Sequence, residues 1–306
     1  MKIYIILSAA VIILLILLFC VIVKYKREIS LFSRELDSTL DDMLAGRTPD
    51  FEFMNDTLSG KVSIKLKRLY EILNQKSEQS NREKEKLNAF ISDISHQTKT
   101  PVANLKMYIQ ILSERKLDEK NRGEFLKLSL AQTEKLEFLV ISLVKMSRLE
   151  NGMISFSSSK LPAIEVIADS IAQIMPSAEQ KNISVAVNCC EEIVVFCDKK
   201  WTSEAIFNIL DNAVKYTLPN GSISVSVCRN EFYALIKIKD SGVGIGEGEQ
   251  AKIFGRFYRS PRTAHVDGLG IGLFLSRQII SGQGGFITVR SEPDHGAEFI
   301  ISLPME

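Results

Sequence analysis

The sequence predicts a multidomain chain: an N-terminal transmembrane helix, a dimeric antiparallel helical hairpin that closes a four-helix bundle, and a C-terminal α/β sandwich. Three observations carry this reading. Residues 3–23 form an uninterrupted run of apolar or small side chains, and two long stretches between 85 and 151 repeat apolar residues at three- and four-residue steps. Beyond residue 160, helical and strand-like patterns interleave. The chain has 306 residues, enough for two compact domains plus an anchor, and a formal net charge of +1 that gives no global pull toward nucleic acid.

As a helix, the first run of about 21 residues spans ~31 Å, close to the hydrocarbon thickness of a bilayer. A cleaved signal peptide is the alternative, but the run exceeds the usual apolar core of such a peptide and lacks an Ala-x-Ala-like cleavage site. Lys24, Lys26 and Arg27 follow directly, against Lys2 before it. The positive-inside bias therefore favours a single pass through the cell membrane with a cytoplasmic C-terminal body and residues 1–23 as the span. That topology leaves only a few residues outside, so a stimulus is expected through the membrane, the cytoplasm or a membrane partner such as a transporter. Five cysteines without a CxxC pair argue against a metal site or a disulfide framework. Cys189, Cys190, Cys197 and Cys228 read as small strand residues.

Residues 24–84 read as helix, connector, helix. Ile29, Phe32, Leu36, Leu40 and Met43 form a helical stripe, Gly46, Pro49 and Gly60 bracket a break, and Leu66, Leu69 and Leu73 resume the pattern before a polar stretch at 74–86. This is either a juxtamembrane signal relay of the HAMP type or a plain spacer. Within 85–151, Leu87, Phe90, Ile94, Val102, Leu105, Ile109 and Leu112 mark one helix, and Phe125, Leu128, Leu136, Leu139, Leu143 and Met146 another, joined near 118–123. A lone two-helix hairpin buries too little surface to be stable, so a homodimer is expected. Asn151-Gly152 and Ser157-Ser158-Ser159 then read as a linker.

The body at 160–306 reads as helices at 162–180, 200–216 and 270–281. Strands are expected at 183–187, 193–196, 222–228, 233–239, 286–291 and 298–303, mostly antiparallel. Its chemistry-bearing residues fall at the edges of these elements. Asn208 and Asn212, four apart, put two amides on one helical face, where neutral oxygen donors suit Mg²⁺ held mainly by phosphates and water. The same spacing is common as helix decoration. Lys215 adds a cation one turn after Asp211. Asp240-Ser241-Gly242-Val243-Gly244 follows a strand, so a carboxylate at the strand end could accept a bond from adenine's amino group, although Asp-Ser-Gly is also an ordinary turn.

Gly268-Leu269-Gly270-Ile271-Gly272 opens a helix whose first amides can face phosphates. Between the two glycine elements lies a long basic and aromatic segment with Phe254, Arg256, Phe257, Tyr258, Arg259 and Arg262, which reads as a lid with arginines near the γ-phosphate. His265 and His295 read as exposed bystanders. Upstream of all these, His96 stands on an amphipathic helix just before Pro101. Pro101 lacks an amide and crowds the carbonyl of Gln97, so a bend that makes His96 reachable is expected. An exposed imidazole followed by a nucleotide constellation suggests phosphate moving from ATP to His96.

As an ordered set, these motifs resemble those of the two-component membrane sensor histidine kinases. The H box corresponds to residues 95–101, the N box to 208–217, the G1 box to 240–244, the F box to 254–258 and the G2 box to 268–272, and the resemblance covers about 87–304. It implies a dimerisation and histidine phosphotransfer domain at 85–151 and, at 160–306, an ATP-binding domain of the Bergerat fold shared with the gyrase, Hsp90 and MutL ATPases. It further implies ATP and Mg²⁺ as cofactors, autophosphorylation of His96, and phosphotransfer to an aspartate of a cognate response regulator. Asn208 and Asn212 would then serve the metal, Lys215, Tyr216 and Arg259 the nucleotide, and Asp240 the adenine. Gly242, Gly244, Gly268, Gly270 and Gly272 would shape the pocket and the lid ends.

Gln97 departs from the family, which usually has Glu or Asp after the histidine to accept its proton; an amide can orient the imidazole but is no base. Thr100 matches the position that the family uses to orient water for dephosphorylating the regulator. Ala297 stands where the family tends to have Ser or Thr near the adenine carboxylate. The readings in competition with an active kinase are a kinase biased toward regulator dephosphorylation, a membrane-anchored pseudokinase, and a Bergerat-fold ATPase without phosphohistidine.

Overall fold

The computed structural model describes residues 2–49, 58–114, 117–189, 193–264, 266 and 268–305, the side chains of 2–9, 58, 59 and 86 aside. Cys190, His265, residue 1 and the side chains of 2–9 at the start of the expected membrane span therefore lie outside the described residues. The chain divides into two compact units, 1–91 and 92–306.

The first unit holds α1, Lys2–Leu44, and the beginning of α2, Leu58–Glu114. The expected break at Gly46 and Pro49 falls just beyond α1, where Gly46 adopts a φ of 69°. Gly60 is instead buried inside α2. The polar stretch 74–86 is helical throughout, with Gln79 bonded to Glu83 at 2.9 Å and Arg82 paired with Glu78 at 3.5 Å. Such i,i+4 pairs favour a helix where apolar contacts are sparse. From Val11 to Val23 the large apolar side chains of α1 are 48–68% exposed. Among the described residues no helix is long and apolar enough to cross a membrane.

The second unit begins with the remainder of α2 and with α3, Glu119–Glu150. Asp118 caps α3 by accepting from the Asn121 amide at 3.4 Å. That cap places the turn before residue 119 and leaves Gly123 inside the helix, rather than in the connection expected at 118–123. Tyr108 and Phe125 tie the two arms, their ring centroids 5.9 Å apart. Along the hairpin, Val102, Met107, Ile109, Leu126, Leu130 and Val140 remain 47–59% exposed.

A mixed five-stranded sheet follows, in the order β2 (Ser184–Cys189), β4 (Ser222–Arg229), β5 (Tyr233–Asp240), β7 (Ala297–Pro304), β6 (Phe286–Ser291). The β2–β4 pair is parallel and the other three are antiparallel. A separate antiparallel pair joins β1 (Ser159–Pro162) to β3 (Val194–Cys197). β1 occupies part of the segment that its serines mark as linker. The strand forms because Leu161 is buried in the core and Ser159 pairs with Cys197.

Helices α4 (Ala163–Gln180), α5 (Lys199–Tyr216) and α7 (Gly272–Ser281) pack with the sheet, α5 touching both of the others. Val166, Ile167, Ile206, Ile209, Leu210, Val225, Ile236, Ile238, Ile279 and Ile301 are fully buried between these layers. Each such side chain contributes roughly 1.5–3 kcal/mol by leaving water. On β5 the buried residues are Ala234, Ile236, Ile238 and Asp240. Strand alternation thus aims the last of them, a carboxylate, at the core side of the sheet.

Candidate active site

A pocket opens where the ends of α5, β5 and the G2 segment meet. α5 turns Ile206, Ile209, Leu210, Ala213 and Val214 into the core, which leaves Asn208, Asp211, Asn212 and Lys215 on the opposite stripe, facing the pocket. Tyr216, Asp240, Gly244, Arg259, Gly268, Gly270 and Gly272 line the same pocket. Gly242 is not part of the wall; its amide donates to Asp240 Oδ1 at 2.8 Å and so fixes the carboxylate from behind.

Asp240 is 6% exposed. The Ala297 amide donates to the same Oδ1 at 3.3 Å, so both main-chain bonds fall on one oxygen of the carboxylate. Burial pushes the Asp240 carboxyl above the usual carboxylate range, and the two amides pull partly the other way. Among the described residues the Asn208 amide nitrogen is buried without a hydrogen-bond partner. A buried amide end with no protein partner is suited to a group that the chain does not supply. Lys215 Nζ lies 2.6 Å from Asp211 one turn earlier, so its charge enters the site already paired.

The glycines divide into two kinds. A Cβ on Gly244 would lie 2.0 Å from the Glu292 carbonyl and one on Gly270 2.6 Å from that of Tyr258, and both glycines have φ near +65° to +70°. These two are required by the backbone itself. Gly268 has nothing within 4 Å of its virtual Cβ, and Gly272 only ordinary contact with Asn208. Their bareness leaves space and exposed amides at the start of α7, as phosphate binding asks.

The lid segment carries short helical turns: α6 (Glu247–Gln250) and 3-10 turns at Lys252–Phe254 and Pro261–Thr263. Phe254 is buried edge-on to Phe299, their centroids 6.4 Å apart, while Phe257 is held at a φ of 57°. The three lid arginines are all engaged by the protein. Arg256 pairs with Glu150 of α3 and lies over the Phe274 ring. Arg259 donates to the carbonyls of Ala264 at 2.6 Å and Val266 at 2.5 Å, and Arg262 pairs with Asp294 at 3.2 Å.

Glu249, Gly296 and Phe138 contribute from outside the sequence motifs. Tyr258 Oη donates to Glu249 Oε1 at 2.8 Å, and both residues line the pocket. That bond lowers the Glu249 carboxyl and raises the Tyr258 phenol. Gly296, with a φ of 79°, passes so close to Asp240 that a Cβ would lie 2.0 Å from its carbonyl. Phe138 of α3 also lines the pocket. Gly296 and Phe138 are not marked by local spacing, since each acts on a segment distant in sequence.

His96 is exposed on α2, as is Thr100, and Gln97 is half-buried. The helix runs through Pro101, which is buried. Because proline has no amide, the Gln97 carbonyl loses its helical donor. One turn away, Thr98 Oγ1 donates to the Ile94 carbonyl at 2.8 Å. Among the described residues no cluster of His, Cys, Asp and Glu could hold a metal ion.

Residues 86–152 match the family model of the His Kinase A (phospho-acceptor) domain, and 197–306 match that of the histidine kinase-, DNA gyrase B- and HSP90-like ATPase. Sensor protein SrrB of Staphylococcus aureus is 30% identical over 218 residues, 70% of this chain and 37% of that protein. The exposed helical histidine and the Asp240 pocket thus fall in the matched domains, and the chain belongs to the two-component sensor histidine kinases. It spans little more than a third of the length of the curated relatives it matches. Among solved structures, the Acinetobacter baumannii histidine kinase AdeS has the same fold at 22% identity and a TM-score of 0.58, over 69% of this chain and 98% of that one. Histidine kinase ThkA, solved in complex with response regulator protein TrrA, aligns at 20% identity and a TM-score of 0.62, over 77% and 67% of the two chains.

Proposed function

We propose that the chain is an ATP-dependent protein-histidine kinase that phosphorylates His96 and passes the phosphoryl group to an aspartate of a response regulator. The observation that carries this reading is Asp240, a carboxylate buried on the core side of β5 with one oxygen fixed by two amides and with capacity to accept from an amino group. Adenine offers such a donor, and the bare starts of the G2 segment and α7 offer amides to its phosphates. Asn208 and Asn212 would hold Mg²⁺ through their carbonyl oxygens, and the partnerless amide nitrogen of Asn208 would donate to a phosphate oxygen. The metal would supply charge neutralisation on the phosphates.

In the reaction, a neutral imidazole nitrogen of His96 bonds to the γ-phosphorus as the bond from phosphorus to the bridging oxygen breaks, and ADP leaves with that electron pair. The imidazole proton goes to water, since Gln97 has no basic atom to receive it. With little covalent work for the protein, rate rests on positioning and on electrostatic stabilisation of the transferring group.

Residues 85–151 would serve dimerisation and phosphotransfer, 160–306 nucleotide binding, and 24–84 relay. The apolar stripe left exposed along the hairpin supports a homodimer. The complex solved for ThkA and TrrA supports a regulator as the acceptor. Residues 1–23 would anchor the chain in the membrane as a single pass, which the exposed apolar side chains from Val11 to Val23 support.

The test is labelling of the full chain with γ-phosphate-labelled ATP and Mg²⁺. The expected product is an acid-labile, alkali-stable phosphate absent from the His96→Gln variant. Label that persists in that variant, or no label despite nucleotide binding, would overturn the reading.

A further inference from the structure

Lys181 stands just past α4 and belongs to none of the sequence motifs. Its Nζ donates to the carbonyls of Val214 at 2.8 Å, Lys215 at 2.8 Å and Thr217 at 3.2 Å. These are main-chain oxygens at the C-terminal end of α5, where the helix leaves acceptors without partners and its dipole is negative. One ammonium therefore closes the end of a helix that is distant in sequence.

The two turns are also stitched to each other. The Asn220 amide donates to the Lys181 carbonyl at 3.0 Å, and Asn182 Nδ2 donates to Asn220 Oδ1 at 2.6 Å. Asn182 and Asn220 both sit in the left-handed region, with φ of 56° and 65°, which asparagine tolerates better than most residues. The turn of α5 held in this way bears Lys215 and Tyr216, which line the pocket. It also abuts the Asp240 loop, since a Cβ on Gly242 would lie 2.6 Å from the Tyr216 carbonyl.

We propose that Lys181 is a positioning residue for the nucleotide site, holding the C-terminal turn of α5 so that Lys215, Tyr216 and the Asp240 loop keep their places. The inference rests on the nucleotide reading above. It assigns to Lys181 an effect on nucleotide affinity and not on the chemical step, because among the described residues its ammonium bonds to main-chain oxygens and the side chain is not part of the pocket wall.

The experiment compares the full chain with Lys181→Met, Lys181→Arg and, as a reference for lost stability, Ile287→Val on β6. ADP affinity is measured by calorimetry, the ATP dependence of autophosphorylation by initial rates, and stability by thermal unfolding. Lys181→Met should weaken ADP binding and raise KM for ATP about tenfold, ~1.4 kcal/mol. Its kcat should stay within about twofold of the parent, the pattern of lost uniform binding. Lys181→Arg should recover most of the affinity, and Ile287→Val should leave KM unchanged.

Unaltered ADP affinity in folded Lys181→Met, or equal shifts of KM in the Met and Ile287→Val variants, would overturn the proposal. Should Lys181→Met fail to fold, Lys181→Gln and Lys181→Arg carry the comparison, with affinity graded by donor number supporting the proposal and equal affinity overturning it. A parent chain that binds no ADP would instead overturn the nucleotide reading itself, and this inference with it.

Discussion

At the scale of the residue, Asp240 shows how a site departs from what stability alone would select. The folded chain holds its proton more tightly than the unfolded chain does, because burial disfavours the carboxylate. Its contribution to stability is therefore full at low pH and is lost as pH rises through the elevated value. Asp240→Asn keeps an oxygen for the amides of Gly242 and Ala297 and escapes that loss. The variant should melt no lower than the parent at pH 7, with the difference shrinking on acidification below the ordinary carboxylate range. Its ADP affinity, read by calorimetry, should drop about tenfold or more, since a bond to a charged group is worth ~1.5–3 kcal/mol.

Two further residues carry predictions about the proposed phosphate transfer, Gln97 and Thr100. General-base assistance contributes ~10²–10⁴ in rate, so Gln97→Glu should speed labelling of His96 by up to that range. An unchanged initial rate would show that proton removal does not limit the reaction. Thr100→Ala should spare autophosphorylation and lengthen the lifetime of the phosphorylated regulator; equal lifetimes with both forms of the kinase would remove Thr100 from dephosphorylation.

At the scale of the element, the Asp240 loop and the G2 segment are shaped by backbone contacts that admit no side chain. Gly244→Ala would require an alanine at a φ of 65° with its Cβ 2.0 Å from the Glu292 carbonyl. It should destabilise the domain by ~1–3 kcal/mol, seen as a lowered unfolding midpoint, and weaken nucleotide binding as the loop shifts. Gly268→Ala meets nothing within 4 Å. The two glycines look alike in the sequence, and only packing separates them.

The same distinction explains what could be read in advance. Asn208, Asn212 and Asp240 are legible because helical spacing and a strand end announce where their side chains point. Lys181, Gly296 and Phe138 act across the fold on partners far along the chain, and no local pattern records such encounters. β1 is hidden for a different reason: it begins at the last residue of a serine run with loop-like composition, while the strand depends on Leu161 and on pairing with β3. Gly123 has the composition of a connection, yet the cap at Asp118 starts α3 ahead of it.

At the scale of the whole molecule, the hairpin presents an apolar stripe that a second copy can cover. Ile109→Glu together with Val140→Glu places charge in that stripe. The expected result is a concentration-dependent shift from dimer to monomer in analytical ultracentrifugation, whereas a dimer unaffected by both changes would place the contact elsewhere.

Phe138 adds a constraint of another sort. It belongs to α3, the helix of the phosphotransfer hairpin, yet it forms part of the nucleotide pocket's wall. Lys145 meets Glu204 of α5 at 2.6 Å on the same helix. The seat of the α/β domain on α3 and the occupancy of the pocket are then two equilibria that share atoms, and linkage makes them reciprocal. By whatever factor nucleotide alters the tendency of the domain to leave α3, departure from α3 must alter nucleotide affinity by the same factor. A stimulus that reaches only the hairpin would thus be felt as a change in the effective concentration of ATP.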